Sequence, residues 1–428
     1  MKLLFFLFFF LSAITQSNGQ KASTIALKTS RVFDSEKGQM LLDQTIIIKE
    51  GIIMDMGRSI SIPQDAEVID LTGFTVLPGL IEAHNHLLMS HPGDEDNTLT
   101  VTKAVTQEGD ALRALRGAAR AKSFLDAGYT TVRDLGNSGK FADVALKRSI
   151  AEGSSVGPRL YVSGPGLSPV GGQAPDVLPN HQALVEGEYR VIRGVEDARM
   201  AVRENIYYGV DVIKLYSNSS PNKLFLSAEE MKAIVEEAHL HGVKVTAHAT
   251  NDLAIKRAIE AGVNAIEHAY AVSDEALLLM KKRKVTMVPT DMDFLLGKKQ
   301  FEKLKISASD EKIQAALQPY HERLQRAIKF GVMIAAGSDM YMDLGLTRGE
   351  AAKRVLFAYK EAGMNNKSIL QSATLHGANL IGEEKLGRIK KGSWADIVAI
   401  NGNPMENLSA LENVVFVMKA GEVYKPIK

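Results

Sequence analysis

Gly79-Leu80-Ile81-Glu82-Ala83-His84-Asn85-His86 is the stretch on which the reading of this chain turns. It continues an apolar run, Phe74 to Leu77, through Pro78, and it ends in two histidines separated by one residue. Residues i and i+2 of a strand project to the same side. His84 and His86 therefore present two imidazoles to one point at a strand's end. Imidazole is a ligand for zinc and its first-row neighbours. By itself His-x-His is a weak sign, and its meaning depends on whether the rest of the chain supplies further ligands.

C-terminal to that stretch the pattern alternates strand and helix. Helical periodicity falls at 104–126, 141–152, 195–208, 227–241, 251–261, 273–282, 310–330 and 347–361. Met231, Ile234, Val235 and Ala238 show the spacing of a helix with one buried face. Between the helices lie short apolar runs: 130–133, 159–162, 211–216, 243–247, 264–267, 285–288 and 332–336. With the His84 strand these make eight strand–helix units, which predicts an α/β fold, a (β/α)8 TIM barrel over 79–384.

On the N-terminal side, residues 21–78 read as short strands punctuated by turns such as Lys49-Glu50-Gly51 and Asp70-Leu71-Thr72-Gly73. The tail from 385 to 428 returns to strands at 395–400, 414–418 and 422–424. Two β segments flanking a barrel most simply pair with each other, so 21–78 and 385–428 are expected to build one small β-sandwich domain.

Residues 1–20 carry the marks of a secretory signal. Lys2 precedes an apolar core from Leu3 to Ile14, interrupted by Ser12, and polar or small residues follow to Gln20. The core is too short to span a bilayer. The expected mature chain is exported, periplasmic and without a membrane anchor. The chain has no cysteine, which removes disulfides and leaves any metal to nitrogen and oxygen ligands. Its 428 residues are 45% hydrophobic and 24% charged, with a formal charge of +1. That balance gives no reason to expect nucleic acid as partner. Oligomer formation stays open.

Sites of such barrels sit at the C-terminal ends of the strands. There the sequence places His84 and His86 on strand one, Lys214 on strand four, His248 on strand five, His268 on strand six and Asp339 after strand eight. Lys214 stands among Val212, Ile213 and Leu215, in a strand covered on both faces, where a cation is costly. Burial lowers its pKa, and a neutral amine adds carbon dioxide to become a bridging carbamate. The alternative is a lysine reaching the barrel mouth as a substrate-binding cation. Two cations in this cage would bring a shared water to ionise near neutral pH. Asp339, behind the small residues 335–338, would be the general base and acid that moves the proton to a leaving nitrogen. Asp343, nearer the next helix, is the better candidate for its N-cap. His239, His241, His321 and His376 read as helix residues, His181 as solvated, and His91 as a loop residue within reach of the site.

Taken together, these stretches resemble the metal-dependent amidohydrolase superfamily. The resemblance rests on 77–86, Val212-Ile213-Lys214, Thr246-Ala247-His248-Ala249, Ile266-Glu267-His268-Ala269, Gly337-Ser338-Asp339, and the return at 387–398 into a small β domain. Within it, the lysine after strand four and Ile-Glu-His on strand six are similar to the imidazolonepropionase-related group that includes Xaa-Pro dipeptidases and carboxypeptidase-like enzymes. The resemblance implies two divalent ions, most simply Zn2+. His84, His86 and Asp339 would hold one, His248 and His268 the other, with Lys214 between them. It also implies that Tyr216 and Tyr270 meet a substrate carboxylate. The sequence departs from the peptidase pattern at Gly171-Gly172-Gln173, where many relatives have histidine. Gln173 donates a hydrogen bond but does not titrate, which bears on dipeptide specificity. Pocket residues are expected from loops 164–190 and 291–309. The expected activity is hydrolysis of amide bonds in dipeptides such as Xaa-Pro or in N-acyl amino acids. The alternative is a one-ion cyclic-amide hydrolase or deaminase of the imidazolonepropionase type.

Overall fold

The computed structural model describes residues 24–174, 176–219 and 223–427; the expected signal segment lies outside them. The first strands form because β-branched runs alternate with turn residues. Ile25–Asp34 pairs antiparallel with Gln39–Lys49, which pairs antiparallel with Ile52–Gly57. The tight turn between the last two places Glu50 at φ 51° and Gly51 at φ 75°, the left-handed pair that a two-residue hairpin requires. A side chain at 51 would also press on the carbonyl of Ala420.

Both ends of the chain share one sheet, as expected. Its order runs Glu422–Lys425, Val414–Lys419, Ile397–Ile400, Glu67–Pro78, Ile25–Asp34, Gln39–Lys49, Ile52–Gly57. Where a small β-sandwich was expected, the two segments form this single seven-stranded sheet, bent back on itself. Its last strand returns to the segment before Ile397, with Ile53 N donating to Ser393 O and Gly392 N to Ile53 O, both at 2.8 Å. The bend lets Leu27, Ile46, Ile48, Ile53, Ile397 and Phe416 bury one shared apolar face.

The middle of the chain supplies parallel strands. Leu80–Asn85, Tyr129–Asp134 and Arg159–Val162 form one parallel set. Gly166–Ser168, Val212–Tyr216, Lys244–Asn251, Ala265–Ala271 and Thr286–Val288 form another. Asp211 N donates to Val162 O at 2.8 Å and joins the two. On the far side Ala335 N donates to Met287 O (3.0 Å), Ala83 N to Ala336 O (2.8 Å) and Asp339 N to His84 O (2.7 Å). Hydrogen bonds thus pass from strand to strand and return to the first. The helices Gly109–Asp126, Val195–Tyr208, Ala228–Leu240, Asp252–Ala261, Asp274–Arg283, Asp310–Phe330 and Arg348–Glu361 bury their apolar stripes against these strands. Such two-sided covering is why Leu80–Asn85 and Val212–Tyr216 are buried at every position.

Three expectations change. The run at 332–336 makes one isolated parallel bridge, Met287↔Ile334, with a second, Asn85↔Met340, just beyond it, rather than a regular strand. A break in the pleat at Asp339 (φ 52°) accompanies this. Thr347, not Asp343, caps the next helix, its side chain taking Glu350 N while Glu350 reaches back. Asp343 is bound by Arg348 at 3.0 Å. Residues 294–303, expected as loop, are a helix capped by Asp293.

Gly337 is where the last segment passes closest to strand one. A Cβ there would stand 2.8 Å from His84 N, 2.9 Å from His84 Cβ and 2.5 Å from Val288 Cγ1. Gly337→Ala is expected to destabilise the protein by about 1–3 kcal/mol, as overpacking of a tight core does, and to do so by moving His84. A urea midpoint unchanged from the parent would contradict this.

Candidate metal centre

His84, His86, Gln173, Lys214, Tyr216, His248, His268, Tyr270 and Asp339 all line one cavity of about 290 Å3. Strand geometry brings them there. His84 lies within strand Leu80–Asn85 and His86 directly follows it; Lys214 and Tyr216 alternate on Val212–Tyr216; His248 and His268 lie near the ends of the next two strands. Asp339 arrives on the irregular last segment. His268 (φ 72°), Ala269 (φ 53°), Thr290 (φ 60°) and Asp339 all adopt left-handed backbone. Such geometry costs about 1–3 kcal/mol per non-glycine residue, and here two of the four, His268 and Asp339, line the cavity.

Hydrogen bonds decide which nitrogen of each imidazole faces inward. His84 Nδ1 lies 2.7 Å from Glu267 Oε2. Burial opposes ionisation of Glu267, but the Arg133 guanidinium and His84 outweigh it and hold the carboxyl well below its usual range. An ionised carboxylate only accepts, so His84 carries its proton on Nδ1. Burial, helped by the Lys214 charge, pushes the His84 pKa down to about 4, leaving the ring neutral with its lone pair on Nε2. His86 Nδ1 donates to Gly136 O at 2.8 Å, so in the neutral ring its lone pair is also on Nε2. The two Nε2 atoms are 3.3 Å apart, and Asp339 Oδ1 stands 3.5 and 3.1 Å from them. Three electron-rich atoms converge on one point, and a divalent cation satisfies all three.

A second pair lies beside them. The rings of His248 and His268 are 4.6 Å apart, and those of His84 and His268 are 5.1 Å apart. His268 Nδ1 is 2.9 Å from Thr290 Oγ1, whose own proton goes to Pro289 O, so His268 Nδ1 is the donor. Burial pushes the His248 pKa down to about 3. His248 Nε2 is buried with no hydrogen-bond partner, an orphaned atom of the kind a metal ligand leaves in a metal-free structure. The donor set of imidazole nitrogens and carboxylate oxygen fits a first-row divalent ion. Lys214 is 1% exposed. Burial lowers its pKa to about 8 against the pull of Glu267 and Asp339, so a substantial share of the amine is neutral near that pH.

Sequence reasoning passed over Glu267 and Arg133. Glu267 accepts from His84, from Thr246 Oγ1 and from Arg133, whose guanidinium is 2.5 Å away and also donates to Ala83 O. The signal was present: a charge inside a strand buried on both faces, the argument used for Lys214. Asn137 and Tyr189 were also missed. Asn137 Nδ2 donates to Tyr189 OH (3.2 Å), and Tyr216 OH donates to Asn137 Oδ1 (3.3 Å). Tyr216 therefore spends its hydroxyl on the wall of the cavity, whereas Tyr270 is 40% exposed. Gln173 Nε2 donates to Asn218 O. Loop 164–190 supplies Gln173 and Tyr189 as expected, but residues 291–309 contribute nothing to the lining, and Met89, Asn97 and Val101 do so instead.

The remaining histidines lie elsewhere. His91 is not among the lining residues; its Nδ1 accepts from Gly93 N, and its ring packs against Tyr341. His239 and His241 sit at a helix end on Asn264 and Glu237. His321 faces Glu361, His376 donates to Ile334 O, and His181 is exposed.

Comparison with known proteins bears on this geometry. The family model described as Amidohydrolase family matches residues 75–428. The ochratoxinase of Aspergillus niger is 30% identical, over 91% of this chain and 84% of that protein; its crystal structure superposes with a TM-score of 0.80 at 27% identity, over 95% and 96% of the two chains. A crystal structure of a Xaa-Pro dipeptidase with bound methionine gives a TM-score of 0.81 at 29% identity, covering 94% of this chain and all of that one. The imidazolonepropionase of Caldanaerobacter subterraneus subsp. tengcongensis is 24% identical over 90% of this chain and 91% of that protein.

Two outcomes follow from the hydrogen bonds to the ligands. Glu267→Gln removes the charge that orients His84 and is expected to weaken zinc binding about 10- to 100-fold, read by competition with a chromophoric chelator; unchanged affinity would contradict it. In the metal-free protein, His84 and His248 stay neutral in the fold while the unfolded chain takes up protons below about pH 6.5. Unfolded chain then binds more protons than native, so stability falls as pH drops from about 6.5 toward 4. A melting temperature that is flat across that window would contradict the assignment.

Proposed function

The chain belongs to the amidohydrolase family, and from that membership we propose that it hydrolyses amide bonds in small acyl-amino compounds, either N-acyl amino acids or dipeptides of the Xaa-Pro kind, using two divalent ions. At the coarser level it is a hydrolase acting on carbon–nitrogen bonds, and the family is metal-dependent. The observation that carries the finer reading is the convergence of four imidazoles, a carboxylate and a buried lysine on one cavity.

In this reading His84, His86 and Asp339 hold one ion and His248 and His268 the other. Lys214, as a carbamate formed on its neutral amine, would supply a carboxylate-like ligand to both. Zinc is the simplest occupant for such a donor set. When bound, the ions polarise a carbonyl and make a water ionisable near neutral pH. Asp339 is the residue that handles the proton. Burial opposes its ionisation, but His84, His86 and Lys214 outweigh that and hold it below its usual range, so it is an ionised base at neutral pH. It takes the proton of the attacking water and delivers it to the nitrogen that leaves. Tyr270, the exposed phenol of the lining, is the candidate neutral donor to the substrate's polar groups, while Gln173, Asn137 and Tyr216 are bonded into the wall. With glutamine at 173, recognition there does not vary with pH.

The closed circuit of strands is read as a (β/α)8 barrel over 79–384, and the bent sheet as the small domain built from 21–78 and 385–428. Residues 1–20 are read as an export signal, which places the mature enzyme in a periplasm. One observation favours a one-ion reading: only His84, His86 and Asp339 form a group of three close metal-ligating atoms among the described residues.

Metal counting decides between the two. The two-ion reading expects about two zinc per chain and loss of turnover on chelation. It expects Asp339→Asn to lose about 10^2- to 10^4-fold in kcat while keeping most of its metal. One ion per chain, or full activity in metal-free protein, would overturn it.

A further inference from the structure

Behind His268 lies a buried ion pair that the proposed chemistry does not use. Arg323 comes from helix Asp310–Phe330 and is 2% exposed; Asp291, just after strand Thr286–Val288, is 3% exposed. The guanidinium donates to the backbone carbonyl of His268, to Pro289 O at 3.4 Å, and to Asp291 Oδ1. It lies 5.3 Å from the centroid of the Tyr270 ring and 5.7 Å from that of Tyr320. One planar cation thus grips the ends of two adjacent strands at the residues whose backbone is left-handed, His268 and, next to Pro289, Thr290. Thr290 Oγ1 in turn takes the proton of His268 Nδ1.

A buried ion pair is not a favoured way to gain stability, because desolvation offsets the attraction. This one holds a costly backbone conformation in the residue that aims an imidazole at the site. A lysine would not replace it, since a point charge lacks the fork that reaches three oxygens. We propose that Arg323, anchored by Asp291, is a positioning residue that sets the affinity of the ion held by His248 and His268, without touching the ion held by His84, His86 and Asp339. The inference rests on the two-ion reading above.

The test is zinc titration of the full-length metal-free chain by chelator competition, with metal content counted after dialysis. Arg323→Met is expected to keep the first equivalent at parental affinity and to weaken the second about 10- to 100-fold. Arg323→Lys, which keeps charge and bulk, should weaken the second equivalent by less and remain folded if the methionine variant does not. Arg354→Met is the control: its guanidinium bonds Asp293, a fully buried carboxylate, in a neighbouring helix, and both equivalents should stay at parental affinity. Two unchanged equivalents in either folded Arg323 variant would overturn the inference and leave the two-ion reading intact. Equal loss of metal in the Arg323 and Arg354 variants would reduce Arg323 to general stability and overturn it too. A parent chain that takes up only one equivalent would overturn the two-ion reading itself.

Discussion

A single carboxylate organises the centre of this fold. Glu267, on strand Ala265–Ala271, accepts from His84 of the first parallel strand, Arg133 of the second and Thr246 of the fifth. Four strands, two from the first part of the chain and two from its middle, are therefore tied at one buried point. Desolvation makes such a network a poor source of net stability. Its value is selection: only the register that brings all four groups together leaves no buried charge alone, and that register also points His84 Nε2 toward His86 and Asp339. The same bonds that fix the strand alignment fix the tautomer of His84, a candidate ligand.

The strained backbone completes that arrangement. His268, Thr290 and Asp339 accept left-handed geometry within a few residues of one another in space, and each is held by groups from another element. Asp339 N is bound by His84 O, and His268 O by Arg323. Gly337 permits the close passage on which the first of these depends. A cavity whose donors are fixed before any ion arrives needs little reorganisation to bind one.

Much of this was legible in the residues. The helices at 195–208 and 310–330 match their periodic patterns end to end, because Gly209 and Gly331 terminate them with positive φ. All six residues read as metal ligands face one cavity, because strand ends in a two-sided parallel sheet leave polar side chains nowhere else to go. Other features depended on tertiary context. Asp343 has the composition of a cap, but Arg348 binds it and Thr347 takes the helix. The last segment looked like a strand from its apolar run, yet Asp339 turns it out of the pleat. Helix Phe294–Lys303 was hidden because its apolar positions are few and its cap, Asp293, is engaged by Arg354. Glu267 and Arg133 carry the same signal as Lys214, a charge in a strand buried on both faces, but their role depends on partners from other strands that the sequence does not pair.

The bent sheet has a consequence for how the molecule assembles. Glu67–Pro78, which runs directly into the strand bearing His84, is flanked by Ile397–Ile400, with Leu77 opposite Val398 across roughly 320 positions of chain. The platform under the strand that bears His84 is therefore finished only once the segment around Ile397–Ile400 has been made. Until then Glu67–Pro78 presents an open edge on that side. Pairing between segments so far apart in the chain must wait on long-range loop closure, which slows folding.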